Sequence, residues 1–214
     1  MKRLYCLGLL LAYATLACAS TPYPGLKVGV QRTGTVYTLS ASFDTPLSPC
    51  AAYQYLTDYE AAKKLPGVVS STAVRESAHE VKVDRTAEEQ VLFFHVRLHS
   101  IMRYTEQAMD HISFTQISGD SKSFQGDWRI IPSTQGSTLN FLGSWEPDSY
   151  LPNFVIDHFA ENNLLDKFSA VAKLAESRRD VASPSCKADV AKPVELNGQH
   201  EAADVVPSAP QSLL

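Results

Sequence analysis

Between Leu151 and Arg179, the residues Ile156, Ala160, Leu164, Phe168, Val171 and Ala175 recur at spacings of three and four. On an α-helix this spacing stacks them into one apolar stripe, which Phe159, Leu165 and Ala172 widen. Pro152 suits the first turn, where its missing N–H forfeits no bond. Lys167, Lys173, Arg178 and Arg179 lie toward the end where the helix dipole is negative. The pattern predicts one long helix over 152–179. A stripe this broad must be buried, and the only comparable apolar surface lies in the strand-like segments between residues 35 and 146. The expected fold class is therefore α+β, a curved antiparallel sheet wrapped around a long C-terminal helix.

The segments that would form the sheet follow in order. From Leu26 to Phe43 the chain favours strand, with Tyr37, Leu39, Ala41 and Phe43 alternating with Thr38, Ser40 and Ser42, and Gly34 breaks it into a hairpin with Val28 and Val30. Ser48-Pro49 supplies an N-cap and a first-turn proline. Ala52, Leu56 and Tyr59 share a face of the helix over 49–65, which breaks near Asp58 and stops at Pro66-Gly67. Strand character returns over 69–77, 80–84, 91–104, 109–117, 124–132 and 137–145, separated by turns such as Ser118-Gly119-Asp120 and Thr134-Gln135-Gly136. An antiparallel meander is the economical topology. Around residue 95, Leu92, Phe94, Val96 and Leu98 face one way, toward the long helix, and Phe93, His95, Arg97, His99 and Arg103 the other. By the same rule Trp128 shares a face with Ile130, and Leu139 and Phe141 with Trp145.

The ends of the chain carry different signals. Residues 1–19 combine Lys2 and Arg3, an apolar run from Leu4 to Leu16 and the small-x-small sequence Ala17-Cys18-Ala19, which predicts a signal peptide cleaved after Ala19. The run is too short for a spanning helix. A lipidated Cys18 is the competing reading. Cleavage takes the 19 basic residues to 17 against 23 acidic ones, a formal charge of −6 that argues against a nucleic-acid partner. Of the four cysteines, Cys50 and Cys186 remain, and in an oxidising periplasmic or secreted setting they could pair; a partly buried Cys50 with a free Cys186 is the alternative. Residues 20–35 read as an N-terminal strand or extension, 36–179 as the domain, and 180–214, with no apolar period, as a disordered tail.

Motifs for catalysis are missing: no Gly-x-Ser-x-Gly, no His-Glu-x-x-His, no Cys-x-x-Cys, no phosphate-cradling loop. No cofactor is expected. His95 and His99 would stand roughly 13 Å apart along a strand, too far to share a metal ion. Asp157, His158 and Glu161 lie outside the helix stripe, where a solvated face is the plain account and acid–base chemistry the sharper one. Arg97 and Arg103 with the two histidines form a basic stripe on the outer face, for which a plain solvated sheet surface is the simpler account and an anionic partner or peripheral membrane contact the sharper one. Facing inward, Leu92, Phe94, Val96, Leu98, Trp128, Phe141, Phe159 and Phe168 form an almost wholly apolar set. A sheet gripping one helix leaves room for a hollow, and these residues are the candidate lining for an apolar ligand.

Several local strings resemble the START-like, helix-grip superfamily, in its polyketide cyclase/dehydrase and coenzyme Q-binding branch. Ala51 to Pro66, AAYQYLTDYEAAKKLP, looks like the branch's first-helix pattern. Gly119-Asp120, Phe124, Gly126 and Trp128 look like its Gly-Asp, Phe-x-Gly-x-Trp block, and Glu146-Pro147 with Leu151-Pro152 resembles its approach to the gripping helix. The resemblance spans about 36–179. It implies a cavity for lipid-like, polyketide or quinone ligands and no single catalytic motif. The expected function is thus an exported binding protein for a hydrophobic small molecule or lipid. The alternatives are a cyclase- or hydrolase-type enzyme using the same cavity, and an interaction module with a filled core.

Overall fold

Alternation of apolar and polar side chains recurs on both sides of the helical stretch 49–64, and between residues 27 and 147 the chain forms eight antiparallel strands. They are β1 (Lys27–Thr33), β2 (Val36–Thr45), β3 (Val68–Arg75), β4 (Glu80–Val91), β5 (Phe94–Gln107), β6 (His111–Gly119), β7 (Ser121–Ser133) and β8 (Gly136–Pro147). The sheet runs β1-β2-β8-β7-β6-β5-β4-β3, so β3 to β8 form a meander and the β1–β2 hairpin closes back onto the last strand. Helix α1 (Pro49–Thr57) and a 3₁₀ turn (Tyr59–Lys64) connect β2 to β3, and helix α2 (Asn153–Ser177) follows β8. This computed structural model describes residues 22–91, 94–179 and Cys186, with only the backbone of Phe94. The leader with its cleavage point and Cys18, Leu92, Phe93 and the rest of the tail lie outside the described residues. The chain divides into two compact units, Met1–Ala182 and Ser183–Leu214. Cys50 in the first and Cys186 in the second are each disulfide-bonded.

Local signals account for most boundaries. Gly34 takes a left-handed φ of 64° at the β1–β2 turn, where a side chain would be strained. Ser48 Oγ accepts from the Ala51 N–H at 3.3 Å to start α1. The break expected near Asp58 is real: Asp58 ends α1 and caps the 3₁₀ turn, accepting from the Ala61 N–H at 3.3 Å.

Two readings of the sequence need correction. Pro152 sits at the N-cap of α2 rather than inside its first turn, and no basic residue occupies the last turn. Lys167 therefore has a different role, described below. The second strand of the meander does not stop at Asp84; β4 continues to Val91 and pairs residue by residue with β5.

The concave face of the sheet packs on α2 as the stripe requires. Ile156, Ala160, Phe168, Ala172 and Ala175 are buried. Around the first three gather Tyr37, Leu39, Val81, Val83, Met102, Tyr104, Ile112, Phe114 and Phe141. A second cluster joins Phe43, Leu47, Ala52, Tyr55, Ile130 and Leu139 to Ala172 and Ala175, beneath α1. The small side chains Ala52, Ala172 and Ala175 let the two helices approach, and the Tyr55 hydroxyl spans the gap to Val171 O at 2.8 Å. Each large apolar side chain buried here contributes roughly 1.5–3 kcal/mol.

Gly126 of β7 faces Gly143 of β8. A Cβ on Gly143 would stand 2.8 Å from the Phe141 ring, and one on Gly126 would stand 3.1 Å from Phe114 as well as 2.6 Å from Leu142 O. The bare glycine pair is what lets those rings lie flat on the sheet, at 6.2 Å and nearly parallel. Phe141 in turn meets Phe168 of α2 at 5.0 Å and Trp128 at 5.1 Å, which fixes the floor between sheet and helix.

Candidate functional site

Sheet and helix do not close fully on each other. A cavity of about 350 Å³ remains between them, within the range of small-molecule sites. Its floor is Leu39, Met102, Phe124 and Phe141, and its roof is Phe159, Leu164, Phe168 and Val171 of α2.

Of the residues expected to line it, Leu98, Phe141, Phe159 and Phe168 do so. Trp128 is half-buried outside the lining, against Phe43, Phe141 and Phe168. Val96 is a half-buried position on β5 away from the lining. Leu92 is outside the described residues, and Phe94 is placed only as a strand position.

The expectation of an almost wholly apolar inward face is overturned. Arg85 and Glu89 of β4, Ser100 of β5, Gln116 of β6 and Lys167 of α2 all line the cavity. Period two along β4 explains this: Val81, Val83, Arg85, Ala87, Glu89 and Val91 share a face, and the first two are core. Reading β4 as one strand to Val91 would have exposed the signal. Arg85 donates from Nε to Ser71 Oγ at 3.3 Å. Glu89, 8% exposed, is ion-paired with Lys167.

The reach of β4 beyond β6 makes this pair possible. Pairing of β5 with β6 stops at Ser100 and Gly119, whereas β4 and β5 pair on to Val91 and Phe94. The overhang brings Glu89 to the middle of α2. At its root Gly119 lies against the His99 backbone and Asp120 Oδ2 accepts from the His99 N–H at 2.7 Å. Gln116 shares the inward face of β6 with Ile112 and Phe114 and donates to Ser121 O at 2.8 Å, and a bulge just beyond it leaves Ile117 unpaired between Gln116 and Ser118.

The other candidate groups are placed differently. Asp157 Oδ1 accepts from the Tyr37 hydroxyl at 2.7 Å and from Arg32 Nε at 2.8 Å, so it latches α2 to β1 and β2. His158 and Glu161 are exposed. The outer stripe is neutralised from the neighbouring elements: Arg97 pairs with Glu88, Arg103 with Glu76, and His99 Nε2 lies 2.9 Å from Asp84 Oδ1. No group of histidine, cysteine or carboxylate side chains among the described residues is arranged to hold a metal ion. No described helix is long and apolar enough to cross a membrane.

A second polar cluster lies apart from the cavity. Glu106, 3% exposed, accepts from the Tyr59 hydroxyl at 2.9 Å, the Tyr53 hydroxyl at 3.2 Å and both Arg75 Nη atoms at 3.0 and 3.2 Å. Burial, and then the neighbouring Glu106, pushes the Tyr59 and Tyr53 hydroxyls above their ordinary pKa. The cluster ties α1, the 3₁₀ turn, β3 and β5 together. Sequence reasoning missed it because Glu106 lies 53 residues from Tyr53 and 31 from Arg75 in the chain.

Residues 45–168 match the family described as polyketide cyclase / dehydrase and lipid transport. The chain belongs to this family. The matched stretch runs from the end of β2 to Phe168 and contains all of the cavity lining except Leu39 and Val171. Solved structures agree on the START-like fold. A STAR-related lipid transfer protein from Xanthomonas axonopodis superposes with a TM-score of 0.61 at 13% identity, covering 73% of this chain and 96% of that one. TTHA0849 from Thermus thermophilus gives 0.59 at 17% identity, over 68% and 99%. The Zhui aromatase/cyclase from a Streptomyces species gives 0.55 at 13% identity, over 67% and 95%. Among curated proteins none matches the chain in sequence.

Proposed function

We propose that this family member is an exported binding protein that holds a hydrophobic small molecule, lipid-like, quinone or polyketide-like, between sheet and α2. The observation that carries this reading is the cavity of about 350 Å³ walled by Phe124, Phe141, Phe159 and Phe168. Apolar contact supplies the main driving force: roughly 300 Å² hidden at ~25 cal/mol per Å² gives about 7.5 kcal/mol, from which the entropy lost on association is subtracted. Arg85 adds direction. A guanidinium in the lining favours a ligand with an oxygen acceptor, a carbonyl or carboxylate rather than a bare hydrocarbon. The structural neighbours include a lipid transfer protein and an aromatase/cyclase, consistent with an oxygenated apolar ligand. Export follows from the leader-like residues 1–19.

The competing reading, a cyclase-type enzyme, draws on the same Arg85 and Glu89, which put ionisable groups inside the cavity. Native mass spectrometry of the protein from its own envelope fraction, followed by extraction of what co-purifies, tests binding. A retained oxygenated apolar molecule, recovered unchanged after incubation, supports the binding protein. Recovery of a ring-closed or hydrolysed product supports the enzyme. If nothing co-purifies and no lipid, quinone or aromatic polyketide raises the melting temperature, the cavity is not a ligand site.

A further inference from the structure

The cavity does not end at Glu89. Outside the Glu89–Lys167 pair lies a groove of about 540 Å³ between the Pro66-Gly67 turn, Glu88 and Gln90 of β4, and Asp166 and Lys173 of α2. Pro66, Glu89, Asn163 and Lys167 line both spaces, so the ion pair stands where the two meet. Character changes across it: four phenylalanines wall the inner space, whereas the outer lining has no aromatic side chain and carries both signs of charge.

A ligand that reaches from one space into the other has to part the pair. Glu89 is almost buried, and a carboxylate left unpaired there is strongly unfavourable. A head carrying one charge satisfies one partner and strands the other. A head carrying both signs satisfies both, its anionic group taken by Lys167 and its cationic group by Glu89, with Asp166 also lining the groove. At ~30 Å³ for each water-sized unit, the inner space holds about a dozen heavy atoms, the length of a short chain and not of a whole amphiphile.

We infer that the ligand is an amphiphile with a zwitterionic head, seated in the outer groove between Glu89 and Lys167 while its apolar part fills the inner cavity. This rests on the reading of the cavity as a hydrophobic-ligand site. Decanol, decanoate, decyltrimethylammonium and decylphosphocholine share a chain and differ in the head. Their dissociation constants for the full chain are read by calorimetry and by the fluorescence of Trp145, which lines the cavity. The expected result is that decylphosphocholine binds about tenfold tighter than the other three, close to 1.4 kcal/mol. In the Glu89→Gln/Lys167→Met variant this ratio falls to about one. Decanol binding with no preference for the zwitterion, a preference for either single charge, or a preference that survives in the variant overturns the inference and leaves the cavity reading standing. Absence of binding by all four overturns both. The wild-type comparison decides without the variant should the latter not fold.

Discussion

The Tyr37 hydroxyl donates to Asp157 Oδ1 at 2.7 Å across 120 residues of chain, and Arg32 Nε reaches the same oxygen at 2.8 Å. Tyr37 is a core residue of β2 and Asp157 stands in the first turns of α2, so this contact sets how the helix docks at its N-terminal end. Asp157→Ala leaves the buried hydroxyl without an acceptor and is expected to destabilise by about 1–3 kcal/mol, read from urea denaturation midpoints.

The tyrosines make the fold sensitive to alkali. Burial, then the bond to Asp157, pushes the Tyr37 hydroxyl up to about 12, and burial also raises Tyr55 and Tyr59. A raised pKa means the native state favours the neutral hydroxyl. The associated stability is complete below the unfolded value near 10 and is lost as pH rises through 10 toward 12. Denaturation midpoints should hold to about pH 9 and fall steeply above 10, with phenolate absorbance appearing as the protein unfolds.

Arg85→Met keeps length and apolar packing but removes the charged donor in the cavity. The expected effect is a loss of about ten- to a hundredfold in affinity for a carbonyl- or carboxylate-bearing ligand, the size of one hydrogen bond to a charged group. A bare hydrocarbon probe should bind the variant at least as well as the wild type. Calorimetry with matched ligands checks both halves.

Glu106→Ala strands the Tyr59 and Tyr53 hydroxyls. Because Arg75 is half exposed and rehydrates, the loss is expected near the lower end of that for a broken buried pair, about 3 kcal/mol. Ligand affinity should not move, since the cluster does not line the cavity. Paired denaturation and binding measurements separate the two effects.

On the reading of residues 1–19 as a cleaved leader, mass spectrometry of the mature protein should show Ser20 as first residue. A non-reducing peptide map should join Cys50 to Cys186, a closure on the order of 5 kcal/mol by loop entropy. A diacylated Cys18 or two free thiols are the opposing outcomes.

How far the site could be read in advance depends on what each residue type signals. Phe141, Phe159 and Phe168 declared themselves by periodicity, since an aromatic side chain on an inward face has little alternative to burial. Glu89 and Lys167 did not. A charged residue ordinarily marks the solvated face, so Glu89 read as a place where a strand had ended, and Lys167 as a partner of the helix dipole. Each is unfavourable inside without the other, and nothing in a linear pattern joins residues so far apart. The block Gly119-Asp120, Phe124, Gly126, Trp128 was legible as a string, but its reasons are spatial: Gly119 against the His99 backbone, Asp120 on the His99 N–H, Gly126 beside Gly143 under two rings.

By itself the sequence determined the element order, the buried stripe of α2, the α1 boundary at Ser48-Pro49 and the direction in which most strand residues face. These follow from periodicity, capping and turn chemistry, which act over a few residues. The tertiary structure alone decided where the sheet stops following the helix. It decided that β4 and β5 overhang β6, that a bulge leaves Ile117 out of the β5–β6 pairing, and that an ion pair closes one side of the cavity. Those outcomes depend on register and on pairings across long stretches of chain, where the free energy of one contact depends on all the others being in place.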